Sequence, residues 1–318
     1  MRTLLILIIG YVLVSTAFSS DSTAPGVFSD NVYKTETFRV DGPASLKALT
    51  SGGSITVESH ERNEIIIEVL VRRGSSYLTT EEDVNRYVTI GFSQSGNSVS
   101  VEAENKGRSF FGSTGASVSY VITVPVETST ELRTSGGNVT LSGVEGSQSL
   151  RTSGGGIRLS EIDGSIEART SGGSLRMSHI NGDLDARTSG GSISLTRSSG
   201  NLAVRTSGGS ITLEEVSGRI NGSTSGGSIN ADIDSIEGEL SLSTSGGNVT
   251  AVVPSSMIED NSGGITLNMR GSRTRVENDG DSTFNGTKTD RRVNGSYGNG
   301  AVNISLSTSA GTSTLRFK

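Results

Sequence analysis

The stretch Arg205-Thr-Ser-Gly-Gly-Ser-Ile211 decides how this chain is read. Its Thr-Ser-Gly-Gly phrase starts at Thr50, Thr134, Thr152, Thr170, Thr188, Thr206, Thr224 and Thr244. From Thr134 to Thr224 every step is 18 residues, and the last step, to Thr244, is 20. A fixed period of this size marks a repeat architecture, in which no unit buries its apolar side alone and stacked neighbours share one core.

Working outward from the Thr, side chains recur in files. Thirteen residues before it stand Val139, Ile157, Leu175, Ile193 and Ile211, and eleven before it Leu141, Leu159, Met177, Leu195 and Leu213. Eight before it are Val144, Ile162, Ile180, Ser198 and Val216, and six before it is always glycine, Gly146 to Gly218. Four before it come Gln148, Ile166, Leu184, Leu202 and Ile220, and two before it Leu150, Ala168, Ala186, Val204 and Gly222. Spacing of two within each cluster is the strand signal. Each repeat is therefore expected to hold two short strands, such as SITL at Ser210–Leu213 and INGST at Ile220–Thr224. Gly-Gly corners are expected to supply positive φ between them. The two extra residues before Thr244 are expected to lengthen one strand, because Ile229, Ala231 and Ile233 keep the alternation.

The fold class that follows is all-β: a single-chain parallel β-solenoid, or β-helix, of 18-residue coils. It is expected to wind right-handed and to end in irregular capping coils. No Phe, Tyr or Trp lies between Val121 and Thr283, which suits a core one aliphatic layer thick. No proline lies between Val126 and Val253, as strands paired on both edges require. A six-residue sub-period is absent. Calcium-binding rolls share the 18-residue period, but here Gly-Gly is followed by Ser-Ile, Asn-Val or Ser-Leu, and no carboxylate file stands where calcium would need one.

Five segments are expected. Residues 1–19 read as an export signal, with Arg2, the apolar run Leu4–Val14 and small residues at Ser15-Thr16-Ala17. A linker follows at 20–36, then wider coils or a cap at 37–130, regular repeats at 131–253, and irregular coils or a cap at 254–318. The chain is thus expected to be exported, to the periplasm, the cell surface or the medium, with no transmembrane segment once the signal is removed. It has no cysteine, which excludes disulfides, thiolate metal sites and a cysteine nucleophile. A formal net charge of −6 argues against nucleic acid as the partner.

Three features resemble a bacterial family of β-strand-repeat proteins described as "putative adhesins", a domain of unknown function. They are LKALTSGGSITVESHERNEIIIEVLVRRG at Leu46–Gly74, YVITVPVETSTELRTSGGNVTLSGVEG at Tyr120–Gly146, and the Thr-Ser-Gly-Gly array itself. The resemblance spans nearly all of the mature chain. It implies the repeat fold and no catalytic motif, and the adhesive role attached to the family is a fold-level analogy.

The chemistry that stands out is basic. Before the Thr stand Arg133, Arg151, Arg169, Arg187 and Arg205, then Ser223 and Ser243. Coils in register would set five guanidinium groups in an outward file, one strand spacing apart. Two positions earlier on the same face lie Ser149, Glu167, Asp185, Ala203 and Asn221, so two carboxylates can pair with the middle arginines. The file reads either as a salt-bridged, solvated face or as a strip that binds a surface glycan or other polyanion, for which arginine's bidentate fork is suited. The Thr file shares the parity of the inward positions, so its expected role is structural, with the methyl packed and the hydroxyl bonded at a corner. His60 and His179 stand in unrelated contexts, and the pairs Asp183/Asp185 and Asp232/Asp234 have no recognisable catalytic partner. The expectation is a non-enzymatic structural or adhesive envelope module, without cofactor or metal. Its contacts would use the arginine face or an aromatic loop at Phe110 and Phe111; a polysaccharide-binding or polysaccharide-degrading β-helix is the alternative.

Overall fold

The computed structural model describes residues 31–106, 115–259, 263–280 and 282–318. The expected export signal and the loop bearing Phe110 and Phe111 lie outside the described residues. The described chain is all-β, and its strands join one 22-stranded sheet.

The first part carries β1 (Lys34–Arg39), β2 (Ala44–Leu49), β3 (Ile55–His60), β4 (Glu64–Arg73), β5 (Ser76–Leu78), a short helix α1 (Glu81–Asn85), β6 (Val88–Ser95), β7 (Ser98–Asn105), β8 (Ser117–Pro125) and β9 (Thr128–Arg133). The repeats follow as β10 (Val139–Arg151), β11 (Ile157–Arg169), β12 (Leu175–Arg187), β13 (Ile193–Arg205), β14 (Ile211–Thr224), β15 (Ile229–Thr244) and β16 (Val249–Val253). The last part holds β17 (Ile265–Arg270), β18 (Arg273–Glu277), β19 (Phe284–Lys288), β20 (Arg292–Tyr297), β21 (Val302–Thr308) and β22 (Thr312–Phe317).

Neighbouring repeats pair in parallel at the sequence period. Leu141 meets Leu159, Leu159 meets Met177, Met177 meets Leu195, and Leu195 meets Leu213. All five are buried, as are the other inward files, so like stacks on like in a continuous core. Each such side chain removed from water contributes about 1.5–3 kcal/mol. A repeat proves to be one bent strand, because pairing continues through the middle. The bend is made where Glu161, His179, Arg197 and Glu215 take positive φ and drop out of the register, with Gly143 at the same place in β10.

The Gly-Gly corners are used differently from the expectation. Gly172 and Gly173 are not left-handed; positive φ belongs to the glycine six before the Thr, as at Gly164 with φ 128°. What the corner needs is closeness. A Cβ on Gly173 would stand 2.0 Å from the carbonyl oxygen of Gly155 in the preceding coil. The Thr beside it ties that approach. Thr170 Oγ1 donates to the Gly155 carbonyl at 2.8 Å and accepts from the Gly173 N–H at 3.3 Å. Thr152, Thr188, Thr206, Thr224 and Thr244 repeat the same two bonds, so the inward reading of the Thr file holds.

The two-residue insertion is also placed differently. Ile229, Ala231 and Ile233 are buried in plain alternation, but Val216 meets Ile233 while Ile220 meets Leu240. β15 therefore loses the mid-strand bulge residue of its neighbours and takes up its extra length later, around Gly238 at φ 91°.

Spatial order departs from chain order at both ends. β3 lies between β8 and β10, and β2 lies between β7 and β9. The first Thr-Ser-Gly-Gly coil thus docks straight onto the regular array, with Thr134 Oγ1 donating to the Gly53 carbonyl at 2.7 Å. The described residues between β3 and β9 fold outside it, with β4 antiparallel to both β1 and β8. At the other end β21 sits between β15 and β17, and β22 between β16 and β18. The last strands in sequence are one layer in, and antiparallel β19 and β20 close the end. Aromatic rings fill these end layers: Tyr297 packs on Phe284 and Phe317 at 5.0 and 5.9 Å between centroids.

Candidate functional site

Register brings all five expected arginines together. Arg133 pairs with Arg151, Arg151 with Arg169, Arg169 with Arg187, and Arg187 with Arg205. Each step is one strand spacing, about 4.8 Å. They alternate with the buried Leu150, Ala168, Ala186 and Val204 and so point outward. An open groove of about 580 Å³ runs over Arg151, Arg169, Arg187 and Arg205 and the Ser and Thr residues of the adjoining corner.

Like charges this close are offset from the neighbouring file. Glu167 lies 3.0 Å from Arg169 and 3.7 Å from Arg151. Asp185 is bonded by Arg187 Nε at 2.8 Å and lies 3.7 Å from both Arg169 and Arg205. That bond, followed by the charge of Asp185, pushes the Arg187 pKa up. Contacts of 3.7 Å are Coulombic rather than hydrogen-bonded, and exposed pairs of this kind contribute about 0–1 kcal/mol each. Arg133 has Glu131 at 2.9 Å, a partner that the residues considered from the sequence did not include. Glu131 was findable, because it sits two before Arg133 as Glu167 sits two before Arg169. Arg169 Nε is buried without a hydrogen-bond partner, while its terminal nitrogens face Glu167 and Asp185.

A second open groove, of about 420 Å³, lies beside the first and is lined by Ser149, Glu167, Asp183, Asp185 and Asn201 among others. Its acids are engaged: Asp183 accepts from Asn201 Nδ2 at 2.7 Å, and Glu167 and Asp185 face the arginines. Asp232 and Asp234 share one cation, Lys318. His60 Nε2 is bonded to the Glu64 carbonyl at 2.8 Å, whereas His179 is an exposed bend residue with φ 53°. The structure does not bring the two histidines or the two acid pairs into one constellation. Among the described residues, no group of three or more His, Asp or Glu side chains could hold a metal ion.

The family model described as Toastrack DUF4097 matches residues 55–316. The chain belongs to the Toastrack family. The match takes in the regular repeats and the end layers apart from β1 and β2, in keeping with the strand-repeat resemblance seen in the sequence. No curated protein matches the chain. Two solved structures are similar to it at low identity. One is a "putative cell adhesion protein" from Clostridium sporogenes, with 11% identity over 90% of this chain and 99% of that one, at a TM-score of 0.22. The other is a "putative adhesin" from Bacteroides fragilis, with 12% identity over 91% of this chain and 98% of that one, at a TM-score of 0.36. Superposition at that level carries neither role nor residue across.

Sequence reasoning missed one feature of this Toastrack chain. Arg270, Arg273, Arg275, Arg291 and Arg292 all lie exposed around one corner of the last layers. Arg270 and Arg292 stand directly opposite across β17 and β20. Their only sequence signal is the density of arginine itself, since they fall outside the 18-residue period. Among the described residues, no helix is long and apolar enough to cross a membrane.

Proposed function

We propose that this Toastrack protein is an exported, non-enzymatic surface module: a right-handed parallel β-solenoid whose arginine-bearing edge binds polyanionic glycan. The observation that carries the reading is the file Arg133–Arg205, stacked one residue per coil, with an open groove over it from Arg151 to Arg205. A linear polymer with carboxylate or sulfate groups meets such a file as rail meets rail. Arginine's planar fork can donate two parallel N–H bonds to one carboxylate or sulfate group. The export signal expected at residues 1–19 and the family's adhesin description favour an envelope or secreted location. A solenoid suits a module that displays a long face to a partner.

The test uses purified full-length mature chain on immobilised polygalacturonate and on immobilised heparin. Retention at low salt that falls steeply as salt rises is the expected result. No retention on either polymer would overturn the reading. Release of new reducing ends from polygalacturonate would replace it with the degradative alternative.

A further inference from the structure

The arginine file does not end at Arg205. Register carries it from Arg205 to Ser223, Ser243 and Ser307, and then to Arg270 and Arg292. Three small hydroxyl residues separate two basic stretches of one continuous line. Arg205 and Arg270 are four strand steps apart, about 19 Å. At the opposite end the same file passes from Arg133 through Leu49 to Glu102, which is paired with Lys47.

The second basic stretch differs from the first in its neutralisation. Arg270 and Arg292 face each other in an antiparallel pair and share the outward face. Arg291 joins them at the corner, where its carbonyl accepts the Gly271 N–H at 3.2 Å. Arg273 and Arg275 stand outward on β18 beside it, and Thr274 fixes the 289–292 loop there through bonds to the carbonyls of Asp290 and Thr289 at 2.7 and 2.8 Å. Among the described residues none of these five arginines makes an ion pair. The nearby acids are spent elsewhere: Glu277 on Arg316, and Asp279 on Lys288. Among the described residues it is Asp290, in the loop itself, that adds a negative charge beside them. Like charges directly opposite in a strand pair are destabilising. A fold that gathers five cations here and answers them with so little carboxylate leaves their charge for an outside anion.

We propose that this C-terminal corner is the principal anchor for the glycan. The polymer's oxyanions are gripped by Arg270, Arg273, Arg275, Arg291 and Arg292, and its length runs back over Ser307, Ser243 and Ser223 to Arg205. The ligand class is a linear polyanion with charges spread over at least 20 Å or so, the span of the serine gap. The central arginines, already shared with Glu131, Glu167 and Asp185, steer and align it. This proposal rests on the polyanion reading above and specifies where that reading acts.

Three full-length proteins decide it on the two immobilised polymers: wild type, R273S/R275S/R292S and R151S/R169S/R187S. An exposed charge contact is worth about threefold in affinity, so losing three free ones is expected to weaken binding about thirtyfold in the C-terminal variant, whereas the central arginines, already paired with Glu167 and Asp185, are expected to lose only about threefold between them. Equal binding by the C-terminal variant and wild type, or a larger loss in the central variant, overturns the anchor while leaving the glycan reading intact. Absence of wild-type retention removes both. A second measurement needs no ligand. R292S is expected to raise the melting temperature at low salt by relieving Arg270, with the gain vanishing at 1 M salt, where charges are screened beyond about 3 Å. A lowered melting temperature would show that Arg292 is structural and would count against the proposal.

Discussion

Gly172 and Gly173 are chain neighbours with different surroundings. A Cβ on Gly172 would have its nearest atoms at 3.6 Å, an ordinary contact, whereas one on Gly173 would meet the Gly155 carbonyl at 2.0 Å. Backbone cannot swing away as a side chain can. Gly173→Ala is therefore predicted to cost at least about 3 kcal/mol and Gly172→Ala no more than about 0.5 kcal/mol, read from chemical-denaturation midpoints. Thr170 gives a second residue-scale test. Thr170→Val keeps the packed methyl but strands the Gly155 carbonyl and the Gly173 N–H, for about 1–3 kcal/mol. Thr170→Ser keeps both bonds and loses one methyl, for about 0.8 kcal/mol. Should the serine variant prove the less stable, the hydroxyl's bonding role would be wrong. That role was legible in the sequence, because the Thr shares inward parity and sits at a corner. The glycines were misread because a kept glycine signals either positive φ or close approach, and spacing alone does not separate the two.

At the scale of the element, the inward files were legible because each is written once per coil and checks the others. The mid-strand bend was not, since Glu161, His179, Arg197 and Glu215 are chemically unrelated and share only a backbone conformation. Nor was the order of the end coils. β2 and β22 resemble regular repeat strands locally, yet which edge each finds depends on pairings made by distant segments. The arginine corner was hidden for the same reason, as antiparallel pairing joins Arg270 to Arg292 outside any period. The C-terminal layer also contains a titratable clasp. Asp279 accepts from Tyr297 Oη at 2.6 Å and from Lys288 Nζ at 2.8 Å. Burial pushes the Asp279 carboxyl up, but the bonds from Lys288 and Tyr297 outweigh it and hold the pKa below the usual aspartate value. Its folded pKa being depressed, the clasp stabilises fully above the free-aspartate pKa of about 3.9 and is lost as pH falls through the folded value. Burial first, then Asp279, raises the Tyr297 pKa, so that phenol stays protonated at neutral pH and its contribution fades only in strong alkali. Amide exchange in β20 should therefore accelerate as pH is lowered past about 4, beyond the intrinsic trend, and Asp279→Asn should abolish that acid step. An unchanged acid step in the variant would assign it to another group.

At the scale of the whole molecule, the described chain is a stack whose end layers are antiparallel and whose charge along one file runs from Glu102, through neutralised arginines, to an unneutralised basic corner. Everything functional in this account depends on coils lying in register, since only that makes a file out of residues 18 apart in sequence. The chain has no cysteine, so paired spin labels can be placed on introduced ones without background. Thr140, Arg158, Arg176, Ser194, Thr212, Asn230 and Thr250 follow one another across the outer face of the ladder. Dipolar distances from a label at 140 to labels at 212, 230 and 250 are predicted at about 19, 24 and 29 Å, a constant rise of one strand spacing per coil. Distances that scatter, or that fail to rise in equal steps, would contradict the stacking and the arginine file together.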